Sequence, residues 1–304
     1  MTSTPAAAGI EPADPSERGG TRVDGVEVLG ALSPSRVGDF LNCPLLYRFR
    51  SIDRLPEPAS PAAVRGTVVH RVLEQLFDLP ATERTPEQAD RMLAPAWEEL
   101  QEIEPAVTSM FPEDGPEIAA WLASCQEVLA RYFDLEDPTR LEPAERELYV
   151  ETLTEAKLLL RGVIDRVDIA ADGAIRVVDY KTGLSPREMF EGKALFQLKF
   201  YALVLWRMRG VVPKMLQLVY LGNSEVLRYE PDERDLLATE RKVLAVWDAI
   251  RAATERREFE ARKGAGCTWC AHQALCPAYG GTPPPYPISR ETVRADEASP
   301  APAE

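Results

Sequence analysis

The chain has 304 residues, 45% of them apolar, and a formal net charge of -14. This length allows one large domain or two small ones, and the acidic balance argues against a general basic coat protein for nucleic acid. No apolar run approaches the roughly 18 residues of a membrane span, and the first residues lack the basic segment and apolar core of a secretory signal. We therefore expect a cytoplasmic protein whose five cysteines are metal ligands or core thiols rather than disulfides.

Helices are predicted in the first half of the chain. Residues 1–30 are rich in Ala, Pro, Gly and acidic side chains, which predicts a disordered tail. Ser33 or Ser35 is expected to cap a first helix that runs to about Arg50, and a second helix is expected at residues 62–77. Two further amphipathic stretches, at residues 86–103 and 116–133, are predicted to form a helical insertion at about residues 84–140.

A mixed sheet is predicted in the second half of the chain. The predicted strands lie at residues 147–153, 158–170, 174–180, 214–221 and 225–229. Helices at residues 186–209 and 232–257 are expected to pack against this sheet, and residues 281–304 are expected to form a Pro-rich tail. Helices followed by a mixed sheet and flanking helices predict one α/β domain, at residues 31–280, with an N-terminal helical extension.

Two adjacent strands of this sheet each carry one carboxylate. The connector at residues 171–173 is predicted to be a three-residue loop with Gly173 in the left-handed region, which makes Asp165 fall opposite Asp179. Cβ atoms of opposed residues lie about 4.5–5.5 Å apart, and two carboxylates that close repel unless a cation lies between them. Lys181 shares the face of Asp179. The register therefore predicts a divalent-metal site with a lysine beside it.

The alternative is a surface hairpin with ordinary charges. The face of the two carboxylates is otherwise apolar, so we expect it to be buried; its members are Val163, Val167, Ile169, Ile175 and Val177. A two-residue turn at Asp172 and Gly173 would shift the pairing by one residue and remove the predicted site.

A turn-rich segment at residues 264–278 carries three cysteines in a C-x2-C-x5-C spacing, namely Cys267, Cys270 and Cys276. Such a segment can hold a metal ion or a cluster, but one ligand is missing. Cys43 is the best candidate, because Cys125 lies on an apolar helical stripe and is expected to be a core residue. His272 would instead complete a local zinc site. On spacing alone, zinc and an iron–sulfur cluster are equally favoured.

Five motifs occur in chain order between residues 31 and 280: G-x-x-x-H at Gly66–His70, G-x-x-D at Gly162–Asp165, D-x-K at Asp179–Lys181, Q-x-x-x-Y at Gln197–Tyr201, and the four cysteines, with Cys43 far from the other three. Together they resemble the PD-(D/E)XK nucleases, specifically the RecB-like exonucleases with a four-cysteine iron–sulfur cluster. The most similar types are the AddB nuclease domain and the CRISPR-associated RecB-like nucleases.

The resemblance implies a restriction-endonuclease-like core and a metal-dependent DNA exonuclease that acts on single-stranded DNA in recombination or repair. It implies that the cysteines hold a 4Fe–4S cluster with Cys43 as the fourth ligand, and that a catalytic Mg²⁺ or Mn²⁺ is held by His70, Asp165 and Asp179. The backbone carbonyl of Tyr180 is expected to be a further ligand.

The other motif residues are expected to act on the water and the phosphate. Lys181 would orient or activate the attacking water. Gln197 and Tyr201, one helical turn apart, would bind the phosphate or position the strand. Glu147 is either a further carboxylate of the site or a surface residue at a strand end. Phosphate contact and solvated charge are equally favoured for four cations: Arg161, Arg166, Arg176 and Lys199.

The chain lacks the Gly-x4-Gly-Lys-Ser/Thr loop of a motor. A separate helicase or a CRISPR adaptation protein is therefore an expected partner, and no membrane partner is expected. The alternatives to a repair exonuclease are a nuclease of CRISPR spacer acquisition, a module that binds single-stranded DNA or a protein without cutting, and a zinc-containing hydrolase of another substrate.

Overall fold

A six-stranded mixed sheet forms the centre of the computed structural model, which describes residues 22–23, 26–111, 116–186 and 191–287. The strands are β1 (Arg22–Val23), β2 (Val26–Glu27), β3 (Gly30–Leu32), β4 (Glu145–Leu153), β5 (Leu158–Ile169), β6 (Ile175–Lys181), β7 (Met215–Tyr220) and β8 (Glu225–Tyr229). Strands β1 and β2 form a separate pair. In the main sheet, β5 pairs with β3 in parallel and with β4 and β6 in antiparallel orientation. Strand β7 lies parallel to β6 and antiparallel to β8.

Helices cover both faces of this sheet. They are α1 (Pro34–Asn42), α2 (Pro44–Tyr47), α3 (Pro61–Leu76), α4 (Pro86–Ile103), α5 (Pro116–Leu135), α6 (Glu191–Arg209) and α7 (Glu233–Arg256). On one face α1, α6 and α7 enclose a core that includes Val177, and on the other α3, α4 and α5 enclose a core that includes Val178 and Tyr180. Because alternate residues of β6 join opposite cores, the sheet is buried on both sides. The predicted mixed α/β class is confirmed.

The predicted helix from Ser33 to Arg50 is interrupted, which corrects the sequence prediction. Ser33 caps α1, but α1 ends at Asn42 and Cys43 is extended, with φ -158° and ψ 109°. The physical reason is Pro44, which disfavours the helical region for the residue before it. The chain continues as α2 and a π-helical turn at Arg48–Ile52. The interruption turns Cys43 towards the C-terminal segment, where the backbone N–H of Arg262 donates to its Sγ at 3.4 Å.

The described parts of the chain before residue 31 and after residue 280 pack against the central domain. Residues 1–21, 24–25 and 288–304 lie outside the described residues, as do most of the positions predicted to form tails. The described part of the N-terminal segment supplies β1, β2 and Gly30, which pairs with Leu158. At the other end, Arg48 donates to the carbonyl of Pro284 at 2.5 Å, and Tyr286 stacks on Phe259. The boundaries at residues 30 and 280 stay predictions. None of the described helices has the length and apolarity needed to cross a membrane.

Candidate active site

The hairpin between β5 and β6 has the predicted register. Arg166 lies opposite Val178 and Ile169 opposite Ile175. The loop closes with a hydrogen bond from the Ala170 N–H to the Ala174 carbonyl at 2.9 Å, and Gly173 has φ +85°. The three-residue loop is therefore confirmed. The ladder ends at Arg166 and Val178, one residue before Asp165 and Asp179. Beyond it, the backbone N–H of Tyr180 donates to Oδ2 of Asp165.

A third carboxylate joins this pair from the neighbouring strand. In the β4–β5 ladder, Arg146 lies opposite Arg166 and Leu148 opposite Ile164, which places Glu147 opposite Asp165. Glu147 has φ +42°, a conformation that non-glycine residues rarely adopt and that concentrates at functional sites. Glu147, Asp165 and Asp179 thus lie on the neighbouring strands β4, β5 and β6, and we call these three residues the carboxylate row.

His70 reaches the carboxylate row from α3. Its Nδ1 atom lies 3.4 Å from Oδ2 of Asp165. His70, Glu147 and Asp165 each offer a ligand atom, and these atoms all lie within 4.8 Å of one another, the one such group of three or more within the described ranges. Asp179 does not belong to this group, so the structure does not bring the predicted set of His70, Asp165 and Asp179 together within that distance. Of the two interpretations of Glu147, the structure favours the site over the surface strand end.

Asp179 and the predicted polar side chains form one connected network. Asp179 is 1% exposed, and its Oδ2 lies 2.5 Å from Nζ of Lys181. Gln197 donates from Nε2 to Oδ1 of Asp179 at 2.8 Å and accepts from Lys181 at 2.9 Å. The same Nε2 lies 3.1 Å from the hydroxyl of Tyr201. The fold therefore brings Asp179, Lys181, Gln197 and Tyr201 together, on the face of the sheet that α6 covers.

A close contact between β5 and α6 explains the glycine of the G-x-x-D motif. A Cβ atom at Gly162 would lie 2.6 Å from Cε1 of Tyr201. Only glycine leaves room for the Tyr201 ring at this point. The same region lines a cavity of about 420 Å³ that includes Val163, Lys181 and Gln197.

The electrostatics of the site favour protons or a cation. Burial, followed by the charge of Asp165, raises the pKa of Asp179 to about 6 and that of Glu147 to about 7. Burial opposes the charged form of His70, but its hydrogen bond to Asp165 and the nearby carboxylates raise its pKa above the usual value. Three acidic groups with one imidazole are thus crowded into a site that is electrostatically unfavourable by itself.

The residues present fit a divalent cation. The buried Oδ2 of Asp179 accepts no hydrogen bond among the described residues, since its contact with Lys181 is an ion pair without hydrogen-bond geometry. Carboxylate oxygens are the ligands that Mg²⁺ and Mn²⁺ prefer, and imidazole suits several divalent metals. The N–H of Tyr180 donates to Oδ2 of Asp165 at 2.7 Å, which fixes one carboxylate on the neighbouring strand. The Tyr180 carbonyl as a ligand stays a prediction.

The four cysteines named by the motifs line one cavity of about 560 Å³: Cys43, Cys267, Cys270 and Cys276. The backbone N–H of Gly264 donates to the Cys267 thiol and, with the Tyr279 hydroxyl, lowers its pKa. Within the described chain, no three of these sulfurs lie within 4.8 Å of one another. Four sulfurs about 2.3 Å from one zinc ion would be only about 3.8 Å apart. The four sulfurs therefore do not occupy the positions of a single zinc site in this structure.

Of the two competing ligands, His272 lines the same cavity and Cys125 does not. His272 is 4% exposed, and its Nε2 lies 2.8 Å from Oε1 of Glu57 while its ring meets Phe49 edge-on. Cys125 is fully buried in the core between α3, α4 and α5, and burial raises the pKa of its thiol to about 11. These contacts support the predicted core position of Cys125.

Two predictions about neighbouring side chains are wrong. Val163 and Ile169 are 40% and 43% exposed, although they share the face expected to be buried. Val163 lines the open cavity beside Lys181, and Ile169 lies at the hairpin end of β5. Arg166 is neither solvated nor directed at a phosphate, because it is 1% exposed and paired with Glu136. Two other cations considered for phosphate contact are also paired, Arg176 with Asp168 and Lys199 with Asp235.

Comparisons with known proteins agree with this geometry. A profile of the PD-(D/E)XK nuclease superfamily matches residues 31–277. The Gene 69 protein of Mycobacterium phage D29 is 26% identical over 217 residues, which cover 63% of this chain and 75% of that protein. A candidate exonuclease from Eubacterium rectale superposes with a TM-score of 0.52 at 13% identity, covering 87% of this chain and 93% of that one. At that identity the superposition shows the fold alone, a six-stranded mixed sheet flanked by helices.

Proposed function

Because this chain belongs to the PD-(D/E)XK nuclease superfamily, we propose that it is a Mg²⁺- or Mn²⁺-dependent DNA exonuclease that acts on single-stranded DNA in recombination or repair. The observation that carries the proposal is the carboxylate row with His70 at one end and Lys181 at the other. In this assignment His70, Glu147, Asp165 and Asp179 hold the cation, with the backbone carbonyl of Tyr180 as a further ligand.

The cation would polarise the scissile phosphate and lower the pKa of a water molecule. The protein's own groups place the other charges. Lys181 is held between Asp179 and Gln197, so its ammonium group sits at one point where it stabilises the negative charge of the transition state. Burial raises the pKa of Tyr201 to about 12, so the phenol stays protonated and can donate to a phosphate oxygen. Gln197 links both side chains to Asp179.

The proposed centre at Cys43, Cys267, Cys270 and Cys276 is a 4Fe–4S cluster. Support comes from the single cavity that the four cysteines line and from the backbone N–H groups of Arg262 and Gly264, which donate to Cys43 and Cys267. Hydrogen bonds to the ligand sulfurs are one of the factors that set the reduction potential of such clusters. Zinc is the alternative occupant.

The hydrolytic proposal is tested on single-stranded DNA labelled at either end. Wild type is expected to degrade it with Mg²⁺ or Mn²⁺, and Asp179→Ala is expected to lose at least about a hundredfold in rate. Asp172→Asn, an exposed carboxylate at the tip of the same hairpin, is the matched control and should keep full rate. Equal degradation by wild type and Asp179→Ala would disprove the assignment. Tight DNA binding by wild type without cleavage in either metal would favour the non-cutting module.

The cluster proposal is tested by metal content after anaerobic purification. Wild type and Cys125→Ser should both contain iron and sulfide and absorb visible light. Cys43→Ser should lose iron together with thermal stability, because a centre of this kind contributes to folding. A colourless wild type with stoichiometric zinc would establish the zinc alternative. A cytoplasmic location, and a separate helicase or CRISPR adaptation protein as partner, remain proposals, as does spacer acquisition as the alternative pathway.

A further inference from the structure

A buried ion pair lies behind the carboxylate row, on the opposite face of the sheet. Arg166, the residue after Asp165, is 1% exposed. Its two terminal nitrogens contact both oxygens of Glu136, at 2.7 and 2.9 Å. Glu136 directly follows α5, so the partner of this strand residue comes from the helical layer of α3, α4 and α5. The geometry is the bidentate arrangement that makes arginine–carboxylate pairs directional.

The same guanidinium group also holds Tyr180. Its NH1 donates to the Tyr180 hydroxyl at 2.5 Å. Tyr180 lies between Asp179 and Lys181 in β6, and its backbone N–H donates to Oδ2 of Asp165. The Tyr180 ring meets His70 edge-on at 6.1 Å between centroids. Tyr180 thus makes three contacts. Its hydroxyl meets Arg166 of the ion pair, its ring meets His70, and its backbone N–H meets Asp165.

Glu136 is itself anchored to the far side of the sheet. Gln217 of β7 donates to Oε1 of Glu136 at 2.9 Å and accepts from Nε of Arg228 in β8 at 3.1 Å. Glu136 therefore receives hydrogen bonds from two strands, one on each side of β6. This arrangement leaves the carboxylate little freedom to move.

Stability alone does not account for such a pair. Removing two charges from water is unfavourable, and apolar residues of similar size often replace a buried ion pair with no loss of stability. Side chains alternate along a strand, so restraints on Arg166 and Tyr180 act directly on the backbone of Asp165, Asp179 and Lys181. Displacements near 1 Å at such groups can reduce a rate about a hundredfold.

We propose that Glu136 is a positioning residue of the active site, which acts through Arg166 and the Tyr180 hydroxyl to fix His70 and Asp165 for cation binding. The helical layer of α3, α4 and α5 then contributes to the site from behind the sheet as well as through His70. This proposal rests on the proposed function, since it assigns a role relative to the cation.

The test measures the binding of Mn²⁺ to metal-free protein at pH 8. Binding is measured by calorimetry or by the electron paramagnetic resonance signal of free Mn²⁺. Glu136→Gln and Tyr180→Phe keep the side-chain shapes but remove the charge or the hydroxyl. Both should weaken Mn²⁺ binding about tenfold, the effect expected of residues that orient ligands, and should lower kcat with little change in KM for DNA. Glu142→Gln is the control, because Glu142 pairs with buried Arg84 in the same helical layer.

A double variant separates positioning from stability. Glu136→Met with Arg166→Met removes both charges, so it should unfold close to the wild-type temperature and still bind Mn²⁺ about tenfold more weakly. Mn²⁺ affinity within twofold of wild type in folded Glu136→Gln and Tyr180→Phe would overturn the proposal. The proposal would also be overturned if losses of Mn²⁺ affinity in these variants were no larger than the loss in Glu142→Gln at equal loss of thermal stability. A wild type that binds no Mn²⁺ would refute the proposed function, and the positioning role with it.

Discussion

At the scale of single residues, Lys181 is held in place by two neighbouring side chains. It lies within ion-pair distance of Asp179 and donates to Gln197. Lys181→Ala should reduce the single-turnover cleavage rate about 10²- to 10⁴-fold, because one fixed positive charge is lost from the transition state. Mn²⁺ affinity should stay equal or rise, since a competing cation beside Asp179 is removed. Lys199→Ala, at a lysine paired with Asp235, should change neither quantity, and a loss of Mn²⁺ binding in Lys181→Ala would contradict this role.

The raised pKa values of the carboxylate row predict a pH dependence with a definite sign. The pKa of Asp179 is about 6 and that of Glu147 about 7 in the folded protein, above the usual values near 4. Without metal, the folded state therefore binds more protons than the unfolded state between pH 4 and 7. The contribution of these groups to the free energy of unfolding decreases as the pH rises through that window.

We expect Glu147→Gln to flatten this dependence. In urea titrations with a chelator, the variant should gain stability relative to wild type at pH 8 and show a smaller difference at pH 5.5. Mn²⁺ affinity of wild type should increase over the same range, because the cation needs the deprotonated carboxylates. A stability difference between variant and wild type that does not vary with pH would show that Glu147 does not titrate in this window.

Local sequence patterns predicted some residues of the site and could not predict others. Strand alternation and one glycine turn, which both act within the hairpin, predict the loop and the β5–β6 register that the structure has. The position of Glu147 depends on the β4–β5 register and on an unusual positive φ. Burial of Arg166 depends on Glu136, which follows α5 and lies 30 residues earlier in the chain. No periodic pattern carries that information.

At the scale of elements, the contact between β5 and α6 couples two motifs. Gly162→Ala should reduce the free energy of unfolding by about 1–3 kcal/mol, because its Cβ would overlap the Tyr201 ring. In the double variant with Tyr201→Ala the two effects should be less than additive, with a coupling of at least about 0.5 kcal/mol. Gly38→Ala, which has open space around its Cβ in α1, should instead stabilise by up to about 1 kcal/mol. Strict additivity in the urea-denaturation cycle would disprove the contact.

Element boundaries were predicted best where the helical pattern is long. Helix α3 was predicted at residues 62–77 and lies at Pro61–Leu76, and α4 has the predicted bounds. The predicted end of the first helix is wrong, because the apolar pattern continues past Cys43 while the break depends on a single proline. Strand β3 was missed, since three residues are too few for an alternating pattern. Its place beside β5 is a long-range pairing that local sequence does not encode.

At the scale of the whole molecule, the segment after the cysteines packs back on the first helices. Arg48 is 7% exposed, donates to Pro284 and lies over the Tyr286 ring. A chain that ends at residue 280 should therefore lose about 1–3 kcal/mol of unfolding free energy, because the buried guanidinium loses the Pro284 carbonyl and the Tyr286 ring and keeps its ion pair with Asp53. A chain that ends at residue 287 keeps these contacts and is the reference for the comparison. Equal melting temperatures of the two truncations would show that the segment contributes nothing.

The carboxylate row also has a consequence for the order of events in folding. Its members belong to β4, β5 and β6, and His70 reaches it from α3. If these residues hold the cation as proposed, its binding site is complete only after the sheet has paired and α3 has docked. A ligand whose site forms only after the folding transition state slows unfolding and leaves the folding rate almost unchanged. The bound metal would thus bind late in folding and lower the rate at which the folded protein unfolds.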